Sequence, residues 1–475
     1  MNVLFASSEV FPFSKTGGLA DIASFLPKAL NGIGHNVITV TPYYPSIAKY
    51  HNDLEYLGTK TVYFGLDNTK VNYYVLNEGS NQTIFVQNQH YFEREFYYGY
   101  DDDDIRFMVF SYSVLELVDL LKDIPQIIHV NDWQSAPVPF LLDRHYRYRE
   151  KYQYIHTLLT IHNLQYQGSF GLYSSRLFNV DFDYTYVHFN SVNYLKTGIE
   201  TASKINTVSP NYRNEIMTEK FGFTLDGALK NRENDLYGIL NGIDLEVFNP
   251  ETDSLIDKNY TSSNLKLGKQ KNKEELLKEF NIEITKDQPL VSYIGRLAVQ
   301  KGINLMKESL EDIINDSNAV FIFLGSGNEE YQNYFQSLRD KYPNRVAYYQ
   351  GYNEDLAHKI YASSDIFLMP SEFEPCGLGQ MISMRYGTIP VVREVGGLKD
   401  TIHPYNKYNN TGTGFSFYDQ NKDVFKDKVL EAINMFNNEP RKWSQLVRRA
   451  LNEDFGLERM AKEYTDLYNK IIGGK

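Results

Sequence analysis

Cysteine is nearly absent from this sequence: Cys376 is the one cysteine in 475 residues, which excludes an internal disulfide. Positive charge is also in deficit, because 48 Lys and Arg stand against 60 Asp and Glu and the formal net charge is −12. This balance disfavours non-specific binding to nucleic acid or to an anionic membrane, where a basic surface supplies the affinity. A local cluster of basic side chains can still bind an anionic small molecule.

Long apolar runs are absent as well, since no stretch approaches the roughly 18 residues that a membrane-spanning helix needs. The first residues, MNVLFASSEVFPF, contain no basic side chain before Lys15, so they do not resemble a secretory signal. We therefore expect a soluble, cytoplasmic protein that has neither a membrane nor a nucleic acid as its partner.

Strand-like and helix-like stretches alternate along the chain in two blocks, which is typical of α/β domains built on parallel sheets. The first block covers residues 1–245. The pattern fades over 246–288, which we interpret as a linking segment, and it resumes over 289–455 before a final helix at 456–475. Two Rossmann-like domains with a cleft between them are the simplest prediction, and ligands in such folds bind beyond the carboxyl ends of the strands.

A full G-x-G-x-x-G fingerprint is missing from both blocks, and no P-loop is present. Instead, the first strand-to-helix turn reads SKTGGLAD and carries Lys15, Gly17 and Gly18. The equivalent turn of the second block carries Arg296 and Lys301. Helix N-termini attract anions and glycine lets an anion approach the backbone, so these turns predict a diphosphate site. The alternative for each cation is a solvent-exposed loop charge, and the matched positions favour the site.

Polar residues at other strand ends add to this picture. Asp132 and His162 follow two strands of the first block, and Glu374 follows a strand of the second, just before a helix expected to open at Cys376–Leu378. A carboxylate at that position can accept hydrogen bonds from sugar hydroxyls, although a capping role at the start of the helix would also explain why Glu374 is there. We assign DDDD at 101–104 to the first turn of a helix rather than to a metal site. Cys376 with His162 raises the alternative of a thiol nucleophile, but the cysteine stands between Pro and Gly without the local signature of such an enzyme.

Taken together, these stretches resemble the bacterial and plant type of glycogen (starch) synthase. The resemblance runs along nearly the whole chain, through KTGGLAD, TIHNLQYQG, TVSP, GILNGID, GRLAVQKG, EPCGLGQ, RYGTIPVV and GGLKDT. It implies a GT-B fold in which the C-terminal helix crosses back to the first domain. It also implies transfer of glucose from ADP-glucose to the non-reducing end of an α-1,4-glucan, with retention of configuration, without a metal and without another cofactor.

The resemblance carries functional residues onto particular positions. The catalytic residues that it implies are Lys15, His162, Arg296, Lys301 and Glu374. The substrate-binding residues that it implies are Gly17, Gly18, Asp21, Asp132, Asn163, Asn241, Tyr352, Cys376, Gly377 and Leu378.

Each group of these residues has an implied partner on the donor or the acceptor. The cations and Gly18 would contact the diphosphate. Glu374 and the backbone that follows it would bind the glucose hydroxyls, and His162 with Asn163 would line the glucose pocket. Tyr352 would stack on adenine, and Asp132 with Asn241 would complete the sugar and acceptor side. A leaving ADP accumulates negative charge, which fixed cations from the two domains would stabilise when the cleft closes.

The sequence departs from the family pattern at several positions. Asn131 and Gln134 flank the Asp-Trp pair where the family usually has histidines, GFT at 222–224 lacks a glutamate, and Ile382 stands where many GT-B enzymes have a second one. Alternative readings are the same fold acting on UDP-glucose or on another acceptor, and a glucan-binding homologue that has lost activity. A dinucleotide dehydrogenase is a weaker alternative.

Overall fold

The computed structural model describes residues 1–180, 183–285 and 288–473, and in it the chain divides into two units. Unit 1 consists of Met1–Asn241 together with Leu457–Lys475, and unit 2 is Gly242–Gly456. None of the described helices is both long enough and apolar enough to cross a membrane.

Unit 1 is built on a nine-stranded sheet with a small three-stranded sheet beside it. Its strands in chain order are β1 (Asn2–Ala6), β2 (Asn36–Pro42), β3 (Glu55–Phe64), β4 (Asp67–Glu78), β5 (Asn81–Gln87), β6 (Ile127–Asn131), β7 (His156–Ile161), β8 (Ser169–Gly171), β9 (Val187–His188), β10 (Ser191–Asn193), β11 (Lys204–Thr207) and β12 (Leu236–Gly238).

The large sheet of unit 1 has the order β12-β11-β7-β6-β1-β2-β5-β4-β3. All neighbouring pairs are parallel except β3–β4 and β4–β5, which form antiparallel hairpins at one edge. The central strands β1 and β6 are apolar and buried nearly throughout, as expected for strands covered on both faces. The carboxyl ends of β1, β6 and β7 therefore lie side by side on one edge, where parallel sheets bind their ligands.

The helices of unit 1 cover this sheet. In chain order they are α1 (Gly18–Gly32), α2 (Asp103–Leu117), α3 (Asp132–Ser135), α4 (Val138–Leu141), α5 (Tyr194–Thr201), α6 (Pro210–Glu215) and α7 (Asp226–Asn231). The helical segment after β6 begins at Asp132 and is interrupted between α3 and α4, because the backbone N of Pro137 has no hydrogen to donate.

The C-terminal segment of the chain returns to unit 1 as a helix at Leu457–Gly473. Its apolar stripe, which includes Met460, Tyr464 and Tyr468, is buried in the same core as Val3 and Leu26. The buried stripe recurs every three or four residues, so this helix packs by ordinary amphipathic burial.

Unit 2 is built on a six-stranded parallel sheet of order β15-β14-β13-β16-β17-β18. Its strands are β13 (Leu290–Ile294), β14 (Val320–Gly325), β15 (Val346–Gln350), β16 (Ile366–Met369), β17 (Ile389–Arg393) and β18 (Phe415–Phe417). Its helices are α8 (Leu265–Glu279), α9 (Ile303–Asn315), α10 (Glu329–Lys341), α11 (Glu354–Ser363), α12 (Gly379–Arg385), α13 (Gly396–Thr401), α14 (Lys422–Asn438) and α15 (Pro440–Leu451), so that the C-terminal helix is α16.

The stretch interpreted from the sequence as a link, 246–288, differs in the structure. The division between the units falls at Asn241 and Gly242, four residues before the predicted boundary, and the described part of this stretch belongs to unit 2. It contains α8, whose buried face includes the polar residues Lys269, Asn272 and Lys273. Because those buried positions are not apolar, the sequence pattern gave no sign of a helix that packs into unit 2.

Candidate active site

The glycine turn of unit 1 leaves open space at the start of α1. Gly17 precedes the helix in an extended conformation, at φ −160°, and Gly18 is its first residue. A Cβ built on either glycine would meet no atom within 4 Å. The fold itself therefore does not require glycine here, and the two residues leave the backbone N–H groups at this helix N-terminus accessible to an anion.

Lys15 lies beside this turn with its side chain held in place. Its Nζ donates to Asp21 Oδ1 at 2.7 Å and lies 5.2 Å from the centre of the Phe11 ring. The structure thus brings together Lys15 and Asp21, both of which the sequence assigns to the site. The ion pair with Asp21, a residue in the first turn of α1, ties the Lys15 ammonium group to the start of that helix.

Glu9 is a residue of this turn that the sequence analysis did not single out. Its side chain is only 3% exposed, and its carboxylate accepts from the Thr16 N–H, from the Thr16 hydroxyl at 2.6 Å and from the Tyr98 hydroxyl at 2.7 Å. The motif gave no signal for it, because its partners are set by the path of the loop rather than by a spacing.

Asp132 and His162, which follow the neighbouring strands β6 and β7, are in direct contact. The backbone N–H of His162 donates to Asp132 Oδ1 at 2.7 Å, and that of Asn163 approaches the same oxygen at 3.4 Å. Asp132 itself has φ 54°, a left-handed conformation that a non-glycine residue adopts at a cost and that is often found at functional sites. Burial, with a smaller contribution from the nearby charge of Glu9, raises the pKa of Asp132 to about 7, although the hydrogen bonds from the backbone N–H groups of His162 and Asn163 oppose this rise.

The imidazole of His162 is neutral and has a defined tautomer. Burial lowers its pKa to about 3. Its Nε2 lies 2.9 Å from Asn131 Oδ1, while the Asn131 amide nitrogen donates to the carbonyl of Ala6 at 3.0 Å. Since the Asn131 oxygen can only accept, Nε2 carries the proton and Nδ1 is left as an acceptor for a hydroxyl. Asn131, a departure from the family pattern, thus orients His162.

Two buried amides nearby have polar atoms without a partner among the described residues. Asn241 Oδ1 is one, in a side chain that is 5% exposed, and Gln134 Oε1 is the other. Asn241 follows β12, past its carboxyl end, and its backbone carbonyl accepts from Arg459 of α16 at 3.3 Å. An unsatisfied buried oxygen indicates a position that a ligand or water fills, which is consistent with the role that the sequence implies for Asn241.

The corresponding turn of unit 2 presents Arg296 to solvent. This residue follows β13, and within the described residues its guanidinium has no carboxylate within 4.0 Å, whereas its backbone carbonyl accepts from the Tyr293 hydroxyl at 2.8 Å. Two glycines of the neighbouring stretch LGSG, at 324–327, pack closely against this turn. A Cβ on Gly325 would lie 2.1 Å from the carbonyl oxygen of Gly295, and one on Gly327 would lie 2.3 Å from that of Leu297.

Lys301 and Glu374 form an ion pair that joins two loops of unit 2. Lys301 Nζ lies 2.6 Å from Glu374 Oε2, and Ser371 Oγ donates to the same oxygen at 3.1 Å. Gly302 makes the approach possible, because it has φ +73° and a Cβ there would lie 2.0 Å from the Pro370 carbonyl. The resemblance gave Lys301 to the diphosphate and Glu374 to the sugar, and the structure shows that the two side chains depend on each other.

The backbone after Glu374 is shaped by close glycine packing. Gly377 has φ +74°, and a Cβ on it would meet Gln380 Oε1 at 2.6 Å; a Cβ on Gly396 would lie 1.9 Å from the Glu374 carbonyl. The expected helix at Cys376–Leu378 begins instead at Gly379, because the left-handed Gly377 cannot belong to it. Cys376, the one cysteine of the sequence, is buried in unit 2.

Tyr352 lies just after β15, where its ring is 67% exposed. An exposed aromatic ring beyond the carboxyl end of a strand is placed where a planar base can stack on it.

The acidic tract at 101–104 lies at the start of α2, as predicted. Asp102 pairs with Arg94 at 2.6 Å, Asp103 pairs with Arg106, and Asp104 accepts from Ser174. Over residues 1–180, 183–285 and 288–473, no group of three or more His, Cys, Asp or Glu side chains is arranged to hold a metal ion.

The comparisons with known proteins agree along the whole chain. A family model described as the starch synthase catalytic domain matches residues 2–231, and one for glycosyl transferases group 1 matches residues 274–449. A glycogen synthase of Acholeplasma laidlawii is 56% identical over 100% of both chains, and one of Clostridium acetobutylicum is 40% identical over 99% of this chain and 100% of its own.

Solved structures give the same result. The catalytic domain of starch synthase IV from Arabidopsis thaliana, bound to ADP and acarbose, matches with a TM-score of 0.91 and 31% identity over 99% of both chains. A sucrose-phosphate synthase from Thermosynechococcus elongatus, at 16% identity and a TM-score of 0.64, shares the fold. The predicted GT-B fold and the predicted family are confirmed. The chain belongs to the glycogen (starch) synthase family of glycosyltransferases.

Proposed function

We propose that this enzyme transfers glucose from ADP-glucose to the non-reducing end of an α-1,4-glucan, with retention of configuration and without a metal ion. The observation that carries the proposal is the open space at Gly17 and Gly18, beside the oriented ammonium of Lys15 at the start of a 15-residue helix. The bound ADP and acarbose of the plant relative support a nucleoside diphosphate donor and a glucan acceptor.

The basic residues are proposed to stabilise the departing ADP. As the bond from glucose to phosphate breaks, negative charge develops on the diphosphate, and fixed positive groups lower the barrier most when they need no rearrangement. We propose that Lys15 and Gly18 contact the diphosphate, as do Arg296 and Lys301. Asp21 and Glu374 hold two of these lysines in place, at 2.7 Å and 2.6 Å.

The sugar is proposed to bind through the polar groups that the structure orients. His162 Nδ1 accepts a hydroxyl hydrogen, with Asn163 alongside, and the Glu374 carboxylate accepts from other hydroxyls together with the backbone of Cys376, Gly377 and Leu378. Because His162 is neutral, its contact is a hydrogen bond and not an ion pair. Asp132 and Asn241 serve the sugar and acceptor side, and Tyr352 stacks on adenine.

A donor comparison tests this function. The purified protein is assayed with ADP-, UDP- and GDP-glucose and glycogen in excess EDTA, and a maltooligosaccharide product is examined by NMR for the new anomeric linkage. We expect the highest kcat/KM with ADP-glucose, an α-linkage and full rate in EDTA. A preference for UDP-glucose or a requirement for a divalent ion would contradict the proposal. Glucan binding without turnover of any donor would instead favour a binding homologue.

A further inference from the structure

A buried carboxylate lies directly behind the glycine turn of unit 1. Glu9 is 3% exposed, yet no Lys or Arg among the described residues lies within 4.0 Å of its carboxylate. Its oxygens are satisfied by neutral donors: the Thr16 N–H, the Thr16 hydroxyl at 2.6 Å and the Tyr98 hydroxyl at 2.7 Å. Burying a carboxyl group that has only neutral donors around it is costly, so stability alone gives no reason for one here.

Thr16 connects this carboxylate to the anion-binding groups. It stands between Lys15 and Gly17, and Glu9 binds both its backbone and its side chain. The bond to the Thr16 N–H restrains the peptide plane between Lys15 and Thr16, and the bond to the hydroxyl restrains the Thr16 side chain. Together they limit the conformations of the residue that links Lys15 to the two glycines.

The contact needs an acceptor opposite the Thr16 N–H, which can only donate. A methionine has a similar length but offers no oxygen to Thr16. A glutamine can accept from the N–H through Oε1 and donate from its NH2 group to the two hydroxyls, because a hydroxyl accepts as well as donates.

We infer that Glu9 is a positioning residue for the diphosphate site: through Thr16 it holds the Lys15–Gly18 turn in the conformation that binds ADP. The inference rests on the proposed function. Glu9 itself does not touch the nucleotide, and its effect reaches the ligand through Lys15 and the backbone of the turn.

Calorimetric titration of ADP into the full-length protein tests this inference. We expect E9M, which keeps the length of the side chain but offers Thr16 no oxygen, to bind ADP about 10- to 100-fold more weakly, the scale of a small misplacement of binding groups. E9Q, which can still accept from the Thr16 N–H, should lose less. T16V, which loses one of the two contacts, should also show a smaller loss, and T16S, which keeps both, should bind like wild type. D104L is the matched control, because Asp104 is also buried, at 1% exposure, and accepts from a hydroxyl of Ser174 at 2.6 Å.

A double-mutant cycle separates positioning from a general loss of structure. If Glu9 acts through the turn, E9M should cost much less ADP affinity in the K15A background than in wild type, because the group that it positions is already gone. Additive losses in E9M and K15A, or an E9M protein that binds ADP like wild type, would overturn the inference. If wild type itself fails to bind ADP, the proposed function fails, which is a distinct outcome.

Discussion

Replacing Gly18 with alanine separates the needs of the fold from those of the ligand. Gly18 is the first residue of α1, its backbone is helical, and a Cβ on it would meet no protein atom within 4 Å. Alanine at such a compatible position restricts the unfolded chain and stabilises a protein by about 0.4–1 kcal/mol. We therefore expect G18A to resist urea at least as well as wild type.

The same methyl group occupies the space in which we propose that the diphosphate approaches the backbone. Forcing an extra methyl group into a closely packed contact costs about 1–3 kcal/mol. If the methyl group weakens binding of the diphosphate by that amount, kcat/KM for ADP-glucose falls by about 5- to 150-fold, since about 1.4 kcal/mol corresponds to a factor of ten.

Steady-state kinetics with glycogen and varied ADP-glucose measure this loss, beside urea unfolding of the same samples. G32A is the matched control: Gly32 is the last residue of the same helix, and a Cβ there also meets nothing within 4 Å. Gly32 lies away from the turn, so G32A should keep wild-type kinetics. A G18A enzyme with wild-type kcat/KM would refute the reasoning that the open space receives the substrate.

Three further predictions concern individual side chains. Because Lys301 and Glu374 form one ion pair, K301A and E374Q should lower kcat non-additively, and independent losses in the double variant would contradict the coupling. Because the pKa of His162 is lowered in the folded protein, the side chain takes up a proton on unfolding when the pH is below 6.5, its usual pKa. This residue therefore costs ~1.4 kcal/mol of folding free energy per pH unit as the pH falls from about 6 to 4.5. H162Q should remove that contribution to the pH dependence measured by urea unfolding, and an unchanged pH dependence would contradict a neutral ring. Y352A should raise KM for ADP-glucose roughly tenfold without loss of stability, as expected for one base–aromatic stack, whereas Y408A, at an 89% exposed ring, should change nothing.

The parts of the site that the sequence predicted are those with local signals. The turn at Lys15–Asp21 is contiguous in sequence, so its motif specified a strand, a glycine turn and a helix together. Asp132 and His162 are distant in sequence, but each follows a parallel strand, and neighbouring parallel strands end on the same edge of the sheet. Their contact at 2.7 Å follows from that rule.

The parts that the sequence did not predict depend on partners that only the folded chain supplies. Helix α8 was missed because Lys269 takes a position that pattern analysis reserves for apolar residues. In the structure its ammonium donates to the Tyr386 carbonyl at 2.9 Å and to Thr388 Oγ1 at 2.8 Å, and burial lowers its pKa to about 7. Glu9 was missed for a similar reason, since a loop and not a period sets its contacts.

The central claim is that fixed positive side chains stabilise the ADP as it leaves, and Arg296 offers its most direct test. Its side chain is exposed and has no carboxylate within 4.0 Å among the described residues, so R296A should leave the free energy of unfolding of the protein unchanged. We predict that kcat of R296A, measured with saturating ADP-glucose and glycogen in EDTA, falls by about 10²–10³-fold, the scale of losing one transition-state stabiliser. A well-folded R296A enzyme that turns over at the wild-type rate would contradict the account.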